Sequence, residues 1–454
     1  MQQLQALQDF FYSGATKSVA YRLLQLKALK KAVLQHEPQL YDALYKDLKK
    51  NKEEVWVTEI GFLISELNEA IRNLDYWMQP KTVSTNLANL PSKSYIQYEP
   101  LGVVLIIGPW NYPLQLLFTP LVGAIAAGNC VVLKPSEHTP ATAAILKKIV
   151  EEVFNSNYVL YVEGEGATVV PQLLETFTFD HIFYTGSTVV GRIIYELAAK
   201  KLVPVTLELG GKSPCVVTQN ANIEIAAKRI VVTKFSNCGQ MCVAPDFVLV
   251  HQSCKEKFVA QLKQKIESFY GNNPMQNEGY GKMINAKQFN RVKQYLSEGD
   301  ILYGGDSNEE NLYIQPTLIE NINLDNKVMQ DEIFGPVLPI LTYNTNEEAL
   351  QILKLHKNPL AFYIFSNNAK EQDYWLQQVP SGGACINNCS WHLTNHNLPF
   401  GGRGYSGIGK YHGQFSFETF SHSKAVLKTP TWFDPFIKYP PFNGRLWLFK
   451  KLIR

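Results

Sequence analysis

Three side chains have types and settings that suit acyl-transfer chemistry. Cys242 lies in NCGQMCVAP, a loop-like stretch that opens an apolar run. A nucleophilic cysteine needs exposure and a stabilised thiolate; the other reading of such a residue is a small buried hydrophobe. Glu208, in LELGGK, closes a strand-like apolar run. Ligands of open parallel sheets bind at the carboxyl ends of strands, and burial raises a carboxylate's pKa, so Glu208 is a candidate general base. Its alternative is a carboxylate bonded to the glycine amides that follow. Asn111, in GPWNYP, carries an amide able to donate to a developing oxyanion, or simply holds a turn between two prolines.

Around these lie candidate phosphate and ribose contacts. In YTGSTVVG, Gly186 and Gly191 flank a helix start, where backbone can approach a phosphate and helix N–H groups attract the anion. An ordinary strand-to-helix turn explains the glycines as well. Lys134 and Glu137, in LKPSE, leave another apolar run and suit either an adenosine ribose or helix capping. The G-x-G-x-x-G turn of many dinucleotide folds is absent after the first strand.

The elements that must position these groups read clearly from 100 to 210. Apolar runs (GVVLIIGPW, NCVVLKPSE, YVLYVEGE, HIFYTGS, VPVTLELGG) alternate with amphipathic helical stretches. Fully apolar strands alternating with helices predict a doubly wound α/β domain whose parallel sheet is covered on both faces. Residues 1 to about 80 read as helices, with Leu23, Leu24, Leu26, Leu29, Val33 and Leu34 at near-helical spacing. A second α/β-like stretch runs from about 212 to 395, followed by the glycine-dense LPFGGRGYSGIGK and an aromatic, Pro-rich, finally basic end.

Composition narrows the class. With 46% apolar and 18% charged residues over 454 positions, the chain is globular, not disordered. A balance of 43 basic to 40 acidic residues gives no case for nucleic-acid binding. The start lacks the basic and apolar regions of a secretory signal, and no stretch approaches the ~20 apolar residues of a membrane span. Seven scattered cysteines make no disulfide framework, so a reducing, cytoplasmic setting is expected.

Taken in order, PWNYP (109–113), LKPSE (133–137), FYTGSTVVG (183–191), LELGGKSP (207–214), NCGQMCVAPD (237–246), MQDEIFGPVLPI (329–340) and LPFGGRGYSGIGKYHGQFSFETFSH (398–422) resemble the aldehyde dehydrogenase superfamily, and within it the class 3 or fatty-aldehyde branch. The resemblance implies an NAD(P)-dependent dehydrogenase in which Cys242 attacks the aldehyde, Asn111 and the Cys242 N–H form the oxyanion hole, and Glu208 activates water on the thioester. It implies cofactor contacts at Trp110, Lys134, Glu137, Gly186, Ser187, Thr188, Val189, Val190, Gly191, Glu332 and Phe334, with NAD favoured over NADP because a ribose-facing carboxylate repels a 2′-phosphate. The implied architecture is an NAD-binding domain (1–81 and 104–206), a catalytic domain (207–395), a small β oligomerisation element (82–103 and 396–424) and a tail (425–454). A homodimer is expected, with medium or long aliphatic or aromatic aldehydes as substrates; Tyr112, Trp391 and Phe400 point to an apolar tunnel. An acylating relative that passes the thioester to coenzyme A is disfavoured by Glu208, and a non-catalytic scaffold by the survival of all three catalytic groups.

Three features stand outside this pattern. Cys238, four residues before Cys242, is either a harmless substitution or a partner for an oxidised nucleophile. Cys385, Cys389, His392 and His396 have spacing like a zinc array, but they align with the family's substrate loop and no metal is expected. The end of the chain places Leu446, Leu448, Phe449, Leu452 and Ile453 on one helical face and Lys450, Lys451 and Arg454 on the other. That face either packs on the dimer or lies in an anionic membrane interface, which would put the enzyme peripherally on the inner face of a membrane.

Overall fold

The computed structural model describes residues 2–452. The predicted α/β architecture is present: a six-stranded sheet carries the first doubly wound unit and a seven-stranded sheet the second. In the first, Val103–Ile107, Cys130–Lys134, Val159–Tyr161, His181–Thr185 and Val205–Glu208 run parallel. The three longest of them, beginning at 103, 130 and 181, are buried at every position. Gly407–Ile408, from the glycine-dense segment, adds a short antiparallel strand beside Val205–Glu208.

Chain order and spatial order differ in this sheet, and the difference locates the site. The first strand, Val103–Ile107, lies between Cys130–Lys134 on one side and His181–Thr185 on the other. The winding therefore reverses between Val103–Ile107 and His181–Thr185, and the loops leaving those two strands part to open a crevice. They carry Trp110 and Asn111 on one side and Gly186 and Ser187 on the other.

Helix Gln115–Ala127 is buried at every residue, as a helix apolar on all sides must be. It ends at Gly128 in the left-handed conformation (φ 96°). Asn129, the polar interruption of this apolar tract, is itself fully buried and acts as a clamp: its side chain accepts from Gly102 N–H and donates to the Ala124 and Phe420 carbonyls. In the N-terminal helices, Leu26, Leu29 and Val33 face the core, whereas Leu24 and Leu34 point outward.

The seven-stranded sheet holds Phe247–His251 at its centre, paired with Pro214–Val217 and Val337–Tyr343. One edge is Gly383–Ile386, next to Ala361–Phe365. A third sheet is antiparallel: Lys93–Pro100 pairs with Lys81–Val83 and, over eight residue pairs, with Ser421–Lys428. Ile453 and Arg454, part of the predicted basic amphipathic end, lie outside the described residues.

Ile106 is fully buried and pairs across to Leu133 and Phe183. Ile106→Ala should therefore cost about 2–5 kcal/mol of stability, seen as a lower urea midpoint and a lower melting temperature.

Candidate active site

Cys242 follows helix Ile223–Phe235 through a loop whose backbone is tightly specified. Asn237, Cys238 and Gly239 have left-handed φ values of 49°, 53° and 74°. A Cβ on Gly239 would stand 2.3 Å from the Gly335 carbonyl oxygen, so this loop and the EIFGP loop touch backbone to backbone. Gln240 locks the turn: its amide donates to the Asn237 and Lys282 carbonyls, and its side-chain oxygen accepts from Ile284 N–H. Cys242 emerges half-buried in the wall of a largely apolar cavity of about 300 Å³.

That cavity brings two of the predicted groups together. Glu208 and Cys242 both line it, and Tyr112, Trp391 and Phe400 form part of its apolar wall. Asn111 is buried next to it, its amide donating to the Gln240 carbonyl two residues before Cys242. Glu208 is almost fully enclosed, and neither carboxylate oxygen has a hydrogen-bond partner among the described residues. Its alternative role as a partner of the glycine amides is not what the structure shows. Burial alone pushes its pKa well above the usual carboxylate range. Burial also raises the Cys242 thiol, followed by repulsion from Glu332 and Glu208.

Glu332 enters from the EIFGP loop, whose position is strongly determined. Lys212, of LELGGK, forms a buried ion pair with Asp246 and donates to the Val328 and Asp331 carbonyls. Asp246 in turn accepts from Ile333 N–H, and Arg291 holds the Glu332 and Ile333 carbonyls. Glu332 Oε1 is buried without a partner, and desolvation pushes the carboxyl to about 8. Phe334 (φ 44°) meets Trp110 edge to face at 5.3 Å.

These groups fit a nicotinamide dinucleotide. An orphaned carboxylate oxygen at Glu332 is what a ribose hydroxyl requires as acceptor. Ser187 caps helix Thr188–Ala199 by accepting from Val190 N–H, and Val189 and Val190 leave an exposed apolar face at the helix start. Gly186 has no room for a Cβ, which would sit 2.2 Å from the Tyr184 hydroxyl. Gly191 turns inward, where a Cβ would strike Leu209 at 2.6 Å. Lys134 is buried with its ammonium on the Pro135 carbonyl (2.6 Å) and on Glu137 (3.3 Å), while Glu137 is exposed and also accepts from Gly166 N–H.

The features outside the pattern also have clear positions. Cys238 is fully buried against Tyr280 and Met283, and burial raises its thiol to about 12. A thiol so enclosed and protonated is a poor partner for an oxidised Cys242. The zinc-like array is divided: Cys385 contacts His392 at 3.2 Å, whereas His396 binds Glu66 and Ser65. Among the described residues no group of three or more His, Cys, Asp or Glu is arranged to hold a metal.

Several site residues carried no local signal. Lys50 and Glu59 form a fully buried pair beneath Asn111. Lys234 is fully buried with an unpartnered ammonium, lowered to about 8 by desolvation against the opposing charges of Asp246 and Glu332.

Residues 4–426 match the model of the aldehyde dehydrogenase family. The chain belongs to that family. It is 44% identical over 438 residues to the 4,4'-diaponeurosporen-aldehyde dehydrogenase of Staphylococcus aureus, covering 96% of this chain and 95% of that one. It is equally 44% identical over 444 residues to aldehyde dehydrogenase family 3 member B1 of Rattus norvegicus, covering 97% and 94%. A solved structure of the substrate-bound state of Staphylococcus aureus AldH superposes with a TM-score of 0.97 at 43% identity, covering 100% of this chain and 99% of that one. The protein is thus an oxidoreductase acting on aldehydes, with class 3 relatives, and the family works with NAD or NADP.

The carboxylate charges around the thiol give a pH test with a definite sign. Repulsion from Glu208 raises the Cys242 thiol, so removing that charge lowers its pKa. Alkylation of Cys242 by iodoacetamide should rise through the alkaline range, and Glu208→Gln should shift the midpoint to lower pH. An unmoved or upward-shifted midpoint would contradict the repulsion.

Proposed function

We propose that the protein oxidises apolar aldehydes to carboxylic acids through a covalent Cys242 intermediate. The observation that carries this reading is the convergence of Cys242 and an unpartnered Glu208 on one largely apolar cavity, with Asn111 bonded to the loop of the nucleophile. The Cys242 thiol gives up its proton to solvent water, and the sulfur attacks the aldehyde carbon. The Asn111 amide turns from the Gln240 carbonyl to the developing oxyanion, which also meets the Cys242 N–H; one such donor is typically worth about 10²–10³ in rate. A nicotinamide dinucleotide, when bound at Glu332 and the helix Thr188–Ala199, supplies the acceptor for the hydride lost by the thiohemiacetal. Glu208 then takes a proton from water as it attacks the Cys242 thioester, a general-base contribution of about 10²–10⁴. Its raised pKa equips it to hold that proton, and release of the acid restores the thiol.

NAD is the favoured cofactor in this reading. Glu137 presents a carboxylate where a 2′-phosphate would need a cation, and the Lys134 ammonium is committed to Pro135 and Glu137. The division into cofactor domain, catalytic domain, bridging β-element and tail follows the three sheets. The dimer is assigned to two free edges, the mostly exposed Ser421–Lys428 and the strand Gly383–Ile386, which a second copy would cover.

The aldehydes favoured are medium or long aliphatic or aromatic ones, because the cavity wall is Val57, Phe62, Tyr112, Trp391, Leu393 and Phe400. No helix among the described residues is long and apolar enough to cross a membrane. The exposed Trp432, Phe436, Leu446 and Trp447 interleave with Lys438, Arg445, Lys450 and Lys451, a pattern suited to peripheral contact with an anionic lipid surface.

Purified protein should form NADH from straight-chain aldehydes without coenzyme A, with kcat/KM rising with chain length. Glu208→Gln should leave the first NADH-forming turnover measurable while slowing steady-state acid release by about 10²–10⁴. Turnover only with coenzyme A would sink the hydrolytic reading. Deleting residues 431–454 should weaken sedimentation with phosphatidylglycerol vesicles several-fold and leave NADH formation from short aldehydes in place; equal sedimentation would refute the membrane contact.

A further inference from the structure

The helix that spans Lys52–Met78 is interrupted by one turn of π-helix at Trp56–Ile60. A π-turn changes which side chains share a face, and such turns are frequent at functional sites. Here the turn places Val57 and Thr58 in the wall of the Cys242 cavity while Glu59, the next residue, points into the protein and is fully buried. Gly61 is what the turn demands, since a Cβ there would lie 2.7 Å from the Trp56 carbonyl oxygen.

Glu59 and Lys50 hold the oxyanion segment from behind. Lys50 Nζ lies 2.8 Å from Glu59 Oε1 and 2.8 Å from the Asn111 carbonyl oxygen. The same ammonium stands 3.8 Å from the centre of the Tyr112 ring. Glu59 Oε2 accepts the backbone N–H groups of Leu114 (3.2 Å) and Gln115 (3.0 Å), which open the buried helix Gln115–Ala127. Both side chains are wholly enclosed. An ion pair this dry gives little net stability, because desolvating two charges offsets their attraction; what it does give is a fixed arrangement of every group bonded to it. The same helix reaches the other half of the site: Glu54, just before the π-turn, accepts from Ser236 Oγ (2.8 Å) and Asn237 N–H (2.7 Å) at the start of the Cys242 loop.

We propose that the Lys50–Glu59 pair is a positioning device for the oxyanion hole: it holds the backbone of residues 111–115 so that the Asn111 amide is set against the Cys242 loop. The proposal rests on the reading of Asn111 as an oxyanion donor. Lys50 and Glu59 are enclosed behind the cavity and do not line it, so they act through Asn111. Without the pair the segment has several arrangements of similar energy, and the amide is on target in only a fraction of molecules.

The test is a mutant cycle on the rate of the NADH burst at saturating cofactor. Lys50→Met with Glu59→Gln removes both charges at similar volume and keeps an oxygen for the Leu114 and Gln115 amides. Expected are a burst about 10- to 100-fold slower, unchanged affinity for NAD by fluorescence, and strong non-additivity. Asn111→Ala, which should cost the wild type about 10²–10³, should cost the double variant only the remainder, about tenfold. A wild-type burst rate in the double variant, or the full Asn111→Ala penalty retained in that background, overturns the proposal, whatever the melting temperature does. If the double variant does not fold, Glu59→Gln alone is read by the same criteria. Asn111→Ala at the wild-type rate in the wild-type background would instead remove the oxyanion reading itself, and this proposal with it.

Discussion

A buried carboxyl group with no donor beside it is the constraint that organises this molecule. Glu208 sits at the end of a strand with both side-chain oxygens unpartnered among the described residues. Leaving such a group unsatisfied costs on the order of 1–3 kcal/mol or more. The surroundings must be rigid enough to deny it a partner, otherwise a nearby amide would relax toward it. That rigidity is visible on every side. Gly186 N–H is spent on the Glu208 backbone carbonyl, Leu209 N–H on Ser406, and the short strand Gly407–Ile408 pins the outer edge. The Glu208 carboxylate stays without a partner because these neighbouring amides are employed elsewhere.

The same logic extends to the second sheet. Glu332 and Lys234 are also buried groups with an unpartnered polar atom, and the Glu332 charge acts on the Lys234 ammonium. The network of Lys212, Asp246 and Arg291 fixes the loop that presents Glu332 without itself offering a donor to its Oε1. Polar satisfaction is thus concentrated in the network behind Glu332, while Glu332 Oε1, both Glu208 carboxylate oxygens and the Lys234 ammonium are left without partners among the described residues.

Much of this was readable in the chain. Alternation of apolar strands with amphipathic helices was sufficient for the doubly wound unit, because buried parallel strands have no polar face to confuse the pattern. The motif order located Cys242, Glu208, Asn111 and Glu332, and the structure brings Cys242 and Glu208 to one cavity with Asn111 alongside. What was not legible depends on contacts distant in sequence. Nothing around Asn129 in the chain points to its partners, which lie at Gly102 and Phe420. Nor did the chain show why Gly191 must lack a side chain, since the Leu209 that a Cβ there would strike is distant in sequence. Lys50 and Glu59 sit in an ordinary charged helical stretch, KNKEEVWVTE, and only a π-turn, invisible to a 3.6-residue period, sends one of its glutamates inward. The zinc-like spacing of Cys385, Cys389, His392 and His396 exists only along the chain: Cys385 meets His392, while His396 turns to Glu66.

The backbone contact between Gly239 and Gly335 carries a consequence for how this site can change over evolutionary time. The loop that presents the Cys242 sulfur and the loop that presents the Glu332 carboxylate meet with no side chain between them. Neither can acquire bulk, or shift by an ångström, without the other moving in step. Variation that retunes one half of the site is therefore inherited by the other half, and new specificities are more easily drafted elsewhere on the cavity wall, at Val57 and Trp391, whose side chains are largely exposed.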